Sequence, residues 1–203
     1  TIIKMDDYGK ANVFTGASDM GQGSDTVIAQ IVAEELGLMV DDVHVIHNDT
    51  DVCPWDVGAH ASRTTFVAGN AALGAARKIR ENLLKLAADA LEAHVDDVVL
   101  QDRAAFVKGC PESKVPIAKL LRNSHFTPGG SMMMADYFYD PPNENMGKDF
   151  RGNMSATYSF GTHGVRVKVD EETGKVAILD YVAAHDVGRA INPLLLDGQV
   201  YGG

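Results

Sequence analysis

Apolar residues recur at helical spacing along the first part of the chain. The pattern predicts a helix over residues 24–37, with apolar positions at Val27, Ile28, Ile31, Val32 and Leu36. Ser24 or Asp25 is expected to cap its start, and Gly37 is expected to end it. A second and longer helix is predicted over residues 64–92, where alanine, isoleucine and leucine recur every three or four positions.

Alternating apolar and polar residues predict the strands. Two strands are expected over residues 10–18 and 42–48, and a hairpin over residues 156–184 is expected to turn at Glu172-Thr173-Gly174. The shorter predicted elements are strands over 98–100 and 105–107 and a helix over 117–121. Hairpins mixed with helices predict the α+β class, with mixed sheets against which the helices pack.

The composition of the chain argues against several classes of protein function. The 203 residues are 45% hydrophobic and 23% charged, as in ordinary globular proteins. The formal net charge of −10 argues against nucleic-acid binding, which basic surfaces normally support. Two cysteines are too few for a disulfide scaffold or a four-cysteine metal site, and they fit a cytoplasmic location. No apolar run reaches the roughly 18 residues of a membrane span.

The first candidate site is the glycine-rich segment between the first predicted strand and the first helix. Gly21, Gln22 and Gly23 precede a helix start, where unpaired backbone N–H groups and the helix dipole favour an anion. Glycine lets a ligand approach the backbone closely. A tight turn followed by a helix cap explains the same residues equally well.

Two further segments carry polar groups at the ends of predicted elements. Residues 57–65 bring small side chains, hydroxyls and Arg63 to the start of the long helix, which suits an anionic ligand. A helix cap with a surface ion pair is the simpler interpretation. Residues 184–199 follow the hairpin, and there a turn held by Asp186 and Asn192 is the simpler interpretation. His44 and His47 are expected on opposite strand faces, which disfavours a metal site between them.

In this order the segments resemble the molybdenum hydroxylase family of xanthine dehydrogenase, aldehyde oxidoreductase and carbon monoxide dehydrogenase large subunits. The resemblance covers nearly the whole chain, through residues 20–23, 30–37, 48–51, 61–65, 69–71, 183–193 and 198–199. It implies that residues 1–203 are a fragment of the second molybdopterin-binding domain of a longer catalytic subunit.

The resemblance also implies a cofactor and the residues that contact it. The family holds molybdenum through the dithiolene of a pterin, usually as the cytosine dinucleotide in bacteria, so no protein metal ligand is expected. The implied cofactor contacts are Gly21, Gln22, Gly23, Ala61, Ser62, Arg63, Thr64 and Gln199. Iron–sulfur clusters and FAD are expected on other domains or subunits. The implied partners are the rest of the large subunit, the iron–sulfur and FAD subunits, and a small-molecule or CoA-thioester substrate.

Residues 53–58 and 60–63 look most like the 4-hydroxybenzoyl-CoA reductase branch, which removes a phenolic hydroxyl group reductively. Ordinary members of the family hydroxylate carbon with oxygen from water. The family's catalytic glutamate lies in a Gly-Glu-Pro motif, which this chain lacks, so no catalytic residue is expected here and the chain alone is expected to be inactive. The alternatives are a non-enzymatic anion- or nucleotide-binding module and an interaction domain with an acidic surface.

Overall fold

The computed structural model describes residues 1–203 and divides into two compact units, Thr1–Asp140 and Pro141–Gly203. The strands are β1 (Ile2–Met5), β2 (Ala11–Phe14), β3 (Val43–Ile46), β4 (Val98–Gln101), β5 (Ala104–Val107), β6 (Cys110–Pro116), β7 (Met134–Asp136), β8 (Phe160–Val169) and β9 (Val176–Asp186). The helices are α1 (Ser24–Leu36), α2 (Thr64–Leu91), α3 (Ile117–Phe126) and α4 (Pro193–Gly202). The α+β prediction is confirmed.

The main sheet of the first unit has the strand order β3-β2-β1-β7. β1 pairs antiparallel with β2 and β7, whereas β2 and β3 are parallel and are joined through α1. Ile3 and Val13, which are neighbours in the β1–β2 register, are completely buried. The sheet therefore presents one apolar face to the core, and its two parallel strands end at the same edge.

Helices α1 and α2 pack side by side and run in the same direction. Gly69, near the start of α2, lies so close to Ile31 that an added Cβ would come within 3.0 Å of the Ile31 Cδ1 atom. Farther along both helices, Arg80 Nε lies 3.4 Å from Glu35 Oε1. Because the contacts advance together along the two helices, the helices are parallel and their N-termini lie at the same end.

The ends of α1 differ in part from the prediction. Neither Ser24 nor Asp25 caps the helix; the N-cap is Gly23, whose φ of 81° is left-handed and whose missing side chain makes no cap. The prediction was wrong because a glycine, which tolerates this backbone, precedes both candidates. At the C-terminus Gly37 is confirmed with a φ of 67°, and Leu38 N–H donates to Ala33 O at 2.9 Å.

A second sheet of the first unit has the order β4-β5-β6, with α3 following β6. Asp42 ties this sheet to the first part of the unit, because Arg103 in the β4–β5 turn donates to its Oδ2 atom at 2.6 Å. Burial alone would raise the pKa of Asp42, but the hydrogen bond from Arg103 and that from the Met39 amide lower it overall. Asp42 is therefore held as a carboxylate over the whole neutral range.

The second unit consists of the β8–β9 hairpin and α4. The predicted turn is confirmed: the Asp170 carboxylate accepts N–H bonds from Glu172 and Thr173, each at 3.0 Å, and Gly174 is left-handed. α4 was not predicted, and its N-cap Asn192 accepts the Leu195 N–H at 3.1 Å. No helix of the structure combines the length and the apolar character that crossing a bilayer requires.

Both faces of the hairpin expose large apolar side chains. The exposed residues are Val165, Val167, Val169, Val176, Ile178, Leu179, Tyr181 and Val182. Isolated two-stranded hairpins are marginally stable in water, and a contiguous apolar surface of this kind normally belongs to an interface.

Candidate functional site

The candidate site lies where two parallel strands end and two parallel helices begin. The loop of residues 15–23 follows β2, and the loop of residues 47–63 follows β3. The two parallel strands end side by side, where Thr15 N–H donates to Ile46 O at 3.0 Å. α1 and α2 begin directly after these two loops. Since the helices run parallel, the two predicted segments are brought to one end of the first unit, where both helix dipoles are positive.

Gly16 is where the two loops touch. A Cβ atom added to Gly16 would lie 2.2 Å from Pro54 O and 2.8 Å from Asp56 N, distances that no real side chain occupies. The backbone of the second loop therefore passes directly over the end of β2. Trp55 lies between these two contacts and is 79% exposed, so it does not belong to the core of the first unit.

The first loop is ordered by the carboxylate of Asp19. Asp19 Oδ1 accepts the Gly21 N–H at 2.7 Å, and its Oδ2 accepts the Asp25 N–H at 3.3 Å. Burial alone would raise the pKa of Asp19, but these N–H groups, that of Gly23 and the Ser24 hydroxyl lower it overall. The Asp19 carboxylate, an anionic group of the chain itself, thus accepts hydrogen bonds from backbone N–H groups at the start of α1.

Gln22 is fixed inside the same loop. Its Nε2 donates to Ser18 O at 2.9 Å and lies 3.4 Å from Ser24 Oγ, and its Oε1 accepts the Met20 N–H. Gly21 has a φ of 101°, and no atom lies within 4 Å of an added Cβ there. The turn therefore presents an open backbone surface, as the anion-binding interpretation requires.

The second loop holds two residues in a left-handed backbone. Ala61 has a φ of 51° and Ser62 a φ of 53°, a conformation that costs residues with a Cβ about 1 kcal/mol or more each. Arg63 follows as the residue before α2, with its Nη1 atom 2.9 Å from Asp56 Oδ1 and 3.0 Å from Gly58 O. Asp56 also accepts the Gly58 N–H at 2.8 Å. The ion pair predicted as the simpler interpretation is present, and it holds the arginine over this loop.

Glycine at Ala61 is expected to leave the chain equally stable or up to about 1 kcal/mol more stable, because it removes the left-handed strain. The same change at Ala90, an exposed residue in the last turn of α2, is expected to cost roughly 0.5–1 kcal/mol. Urea unfolding of both variants measures the difference. Equal losses at the two positions would show that Ala61 carries no strain.

His47 makes a contact that the sequence did not reveal. It lies just beyond β3, and its Nε2 atom is 2.9 Å from Asp25 Oδ2 in the first turn of α1. Burial raises the pKa of Asp25, the nearby His47 lowers it, and Asp19 raises it, with a net increase. Asp25 Oδ1 and His47 Nδ1 are buried without a hydrogen-bond partner. The pair links the end of β3 to the start of α1, and nothing in the spacing of the two residues indicated it.

The donor set suits a large anionic ligand. It combines backbone N–H groups at Gly21 and Asp25, the amide of Gln22, the hydroxyls of Ser62 and Thr64 and the guanidinium of Arg63. Gln199 lies in the second unit, on α4, and its part in the site stays a prediction. Asp186 and Asn192 make the turn contacts of the simpler interpretation, since Asp186 Oδ1 accepts the Gly188 N–H at 3.0 Å.

Comparison with known proteins identifies the same region in characterised enzymes. The family description "Molybdopterin cofactor-binding domain" matches residues 1–203. The chain is 34% identical over 204 residues to the carbon monoxide dehydrogenase large chain of Afipia carboxidovorans, covering 99% of this chain and 24% of that one. It is 36% identical over 211 residues to the xanthine dehydrogenase molybdenum-binding subunit of Escherichia coli O157:H7, covering 99% and 26%.

A solved structure shows the same fold. Reconstituted CO dehydrogenase from Oligotropha carboxidovorans superposes with a TM-score of 0.86 at 34% identity, over 100% of this chain and 24% of that chain. The chain thus spans about a quarter of the length of the relatives that it matches.

Proposed function

Since this chain belongs to the molybdopterin cofactor-binding domain family, we propose that its first unit forms one wall of the molybdenum-cofactor site in the large subunit of a molybdenum hydroxylase. The observation that carries the proposal is the meeting of the two loops at two parallel helix N-termini. That end of the unit concentrates N–H donors and positive dipole ends where a phosphate-bearing cofactor would lie.

The proposed contacts are the residues at this end together with one residue of α4. They are Gly21, Gln22, Gly23, Ala61, Ser62, Arg63, Thr64 and Gln199. Gly21 leaves its backbone accessible, the Gln22 amide holds the turn in place, and Arg63 brings a cation whose orientation Asp56 sets. Asp19 accepts the Gly21 and Asp25 N–H groups here, so a phosphate that takes those donors replaces that carboxylate. When bound, the molybdenum centre supplies the two-electron redox chemistry.

The finer parts of the proposal rest on the sequence. We assign the cofactor to the cytosine dinucleotide form, place iron–sulfur clusters and FAD on other domains or subunits, and place the complex in the cytoplasm. The catalytic glutamate is expected outside residues 1–203, because no Gly-Glu-Pro motif occurs within them. We expect the 203-residue chain to be inactive alone.

Arg63 gives the sharpest test of the cofactor site. In the intact large subunit produced with its partner subunits, Arg63→Ala is expected to lower the molybdenum and pterin content several-fold, because the variant loses a cation beside the anionic cofactor. Metal analysis by mass spectrometry and fluorescence of the oxidised pterin measure both contents. Arg122→Ala, at an exposed arginine of α3, is the matched control and is expected to leave them unchanged.

The outcomes separate the two classes of function. A variant with wild-type molybdenum content would remove Arg63 from the site. An intact wild-type subunit without molybdenum or pterin would overturn the enzyme proposal and leave an anion-binding or subunit-interaction module.

We assign 4-hydroxybenzoyl-CoA as the substrate, on the basis of residues 53–58 and 60–63. The purified complex is expected to dehydroxylate this thioester reductively with a low-potential electron donor. Parallel assays with xanthine and with aldehydes, using a dye as electron acceptor, provide the comparison. Turnover of purines or aldehydes alone would reject the assignment and leave the cofactor site untouched.

A further inference from the structure

The β8–β9 hairpin carries a cluster of nitrogen and oxygen ligands away from the loops described above. In the antiparallel register His185 pairs with Gly161, His163 pairs with Ala183, and Tyr181 pairs with Val165. Alternate residues of a strand share a face, so these three side chains lie on the same face, with His163 diagonal to the other two. All three are exposed.

The two imidazoles face each other through their Nε2 atoms. His163 Nε2 lies 2.9 Å from His185 Nε2, and the ring centroids are 5.0 Å apart. Two facing lone pairs repel unless a proton or a cation lies between them. We propose that His163 and His185 together bind one divalent first-row transition-metal ion.

The distances favour particular ions. Imidazole nitrogens bind such ions at about 2.0–2.1 Å, so two of them at a right angle lie about 2.9 Å apart, whereas a tetrahedral ion holds them about 3.4 Å apart. The observed separation of 2.9 Å fits adjacent positions of a square-planar or octahedral ion, which Ni²⁺ and Cu²⁺ prefer. Two lone pairs that face each other cannot both reach one ion at a right angle, so each ring must turn about its side-chain bonds; both side chains are exposed, and water completes the coordination.

A hydrogen bond to His163 and a close backbone neighbour of His185 limit how far the two rings turn. His163 Nδ1 lies 2.5 Å from Tyr181 Oη, so a proton on Nδ1 can be donated to the phenol oxygen and leave Nε2 free as a ligand. The His185 ring lies over Gly161, where an added Cβ would approach its Nδ1 atom to 3.0 Å. Metal-binding histidines are commonly held by such a partner on the second ring nitrogen.

Titration of the intact, tag-free large subunit with NiCl₂ in a calorimeter tests the site, with the variant that lacks both histidines as the baseline for other metal-binding groups. One ion is expected to bind per chain, and His163→Ala and His185→Ala are each expected to weaken binding at least tenfold. Tyr181→Phe, which keeps the ring and removes the oxygen, is expected to weaken it several-fold. His44→Ala, at an exposed histidine of β3, is the matched control and is expected to bind like the wild type.

A second measurement does not depend on any variant. Paramagnetic Ni²⁺ is expected to broaden the imidazole NMR signals of His163 and His185 before those of the other five histidines, out of seven in the chain. Absence of binding would show that the two rings only share a proton. Broadening that begins at other histidines, or binding that survives both alanine changes, would equally overturn the site.

Discussion

Alanine at Gly16 is expected to destabilise the first unit by about 1–3 kcal/mol and to displace the loop that crosses the end of β2. The new methyl group would lie 2.2 Å from Pro54 O and 2.8 Å from the Asp56 Cβ atom, and a backbone carbonyl cannot rotate away as the end of a long side chain can. Because Asp56 orients Arg63, the movement reaches the proposed cofactor site.

Two measurements follow the Gly16→Ala change. Urea unfolding gives the stability loss, and hydrogen exchange of the amides in residues 54–58 reports the displaced loop. In the intact large subunit the Gly16→Ala variant is expected to contain less molybdenum than the wild type. Gly164→Ala is the control, since no atom lies within 4 Å of an added Cβ there, and a change within about 0.5 kcal/mol is expected. Unaltered exchange at residues 54–58 would show that the loop accommodates the methyl group.

Alanine at Leu83 is expected to have the largest effect on stability, a loss of about 2–5 kcal/mol. Leu83 lies in α2, is completely inaccessible to solvent and belongs to the cluster that joins both helices to the sheets. Truncating it removes apolar contacts and leaves a cavity that a helix flanked on several sides cannot close.

Urea unfolding measures the Leu83→Ala loss. The same truncation at Leu194, which lies on α4 and is 79% exposed, is expected to change stability by less than about 0.5 kcal/mol. A loss below about 1 kcal/mol at Leu83 would mean that the core around α2 collapses onto the missing side chain.

Periodicity predicted those elements whose own residues decide their structure. The helices at 24–37 and 64–92 and the hairpin turn at residues 172–174 were predicted correctly to within a few residues. Amphipathic spacing and left-handed glycines depend on neighbouring residues, so they can be recognised in the sequence. Of the missed strands, β1 and β7 pair with each other over a long stretch of chain, whereas β6 pairs with its neighbour β5 and is almost fully exposed, so it shows no buried face in its sequence. β7 has only three residues, too few for any alternation to show.

The segments that form the candidate site could be predicted from the sequence, but their arrangement in space could not. The sequence indicated both the glycine-rich loop and the hydroxyl-rich loop. The two loops form one site because α1 and α2 run parallel, and that arrangement depends on packing at Gly69 and Ile31. The roles of Asp19 and Asp56 were also missed. Each accepts the N–H two residues on, the same kind of turn contact that was predicted at Asp186, but nothing in the sequence indicated the further contacts with Asp25 and Arg63.

The pairing of β1 with β7 has a consequence for biosynthesis. Ile2 lies opposite Asp136, so β1 leaves the ribosome about 130 residues before its second partner, β7. At ordinary translation rates that delay is on the order of ten seconds. Throughout it the nascent chain presents an open strand edge with an apolar face, a template for pairing with other chains. The need for chaperones during synthesis is therefore expected to depend more on how fast residues 15–133 are translated than on the stability of the finished domain.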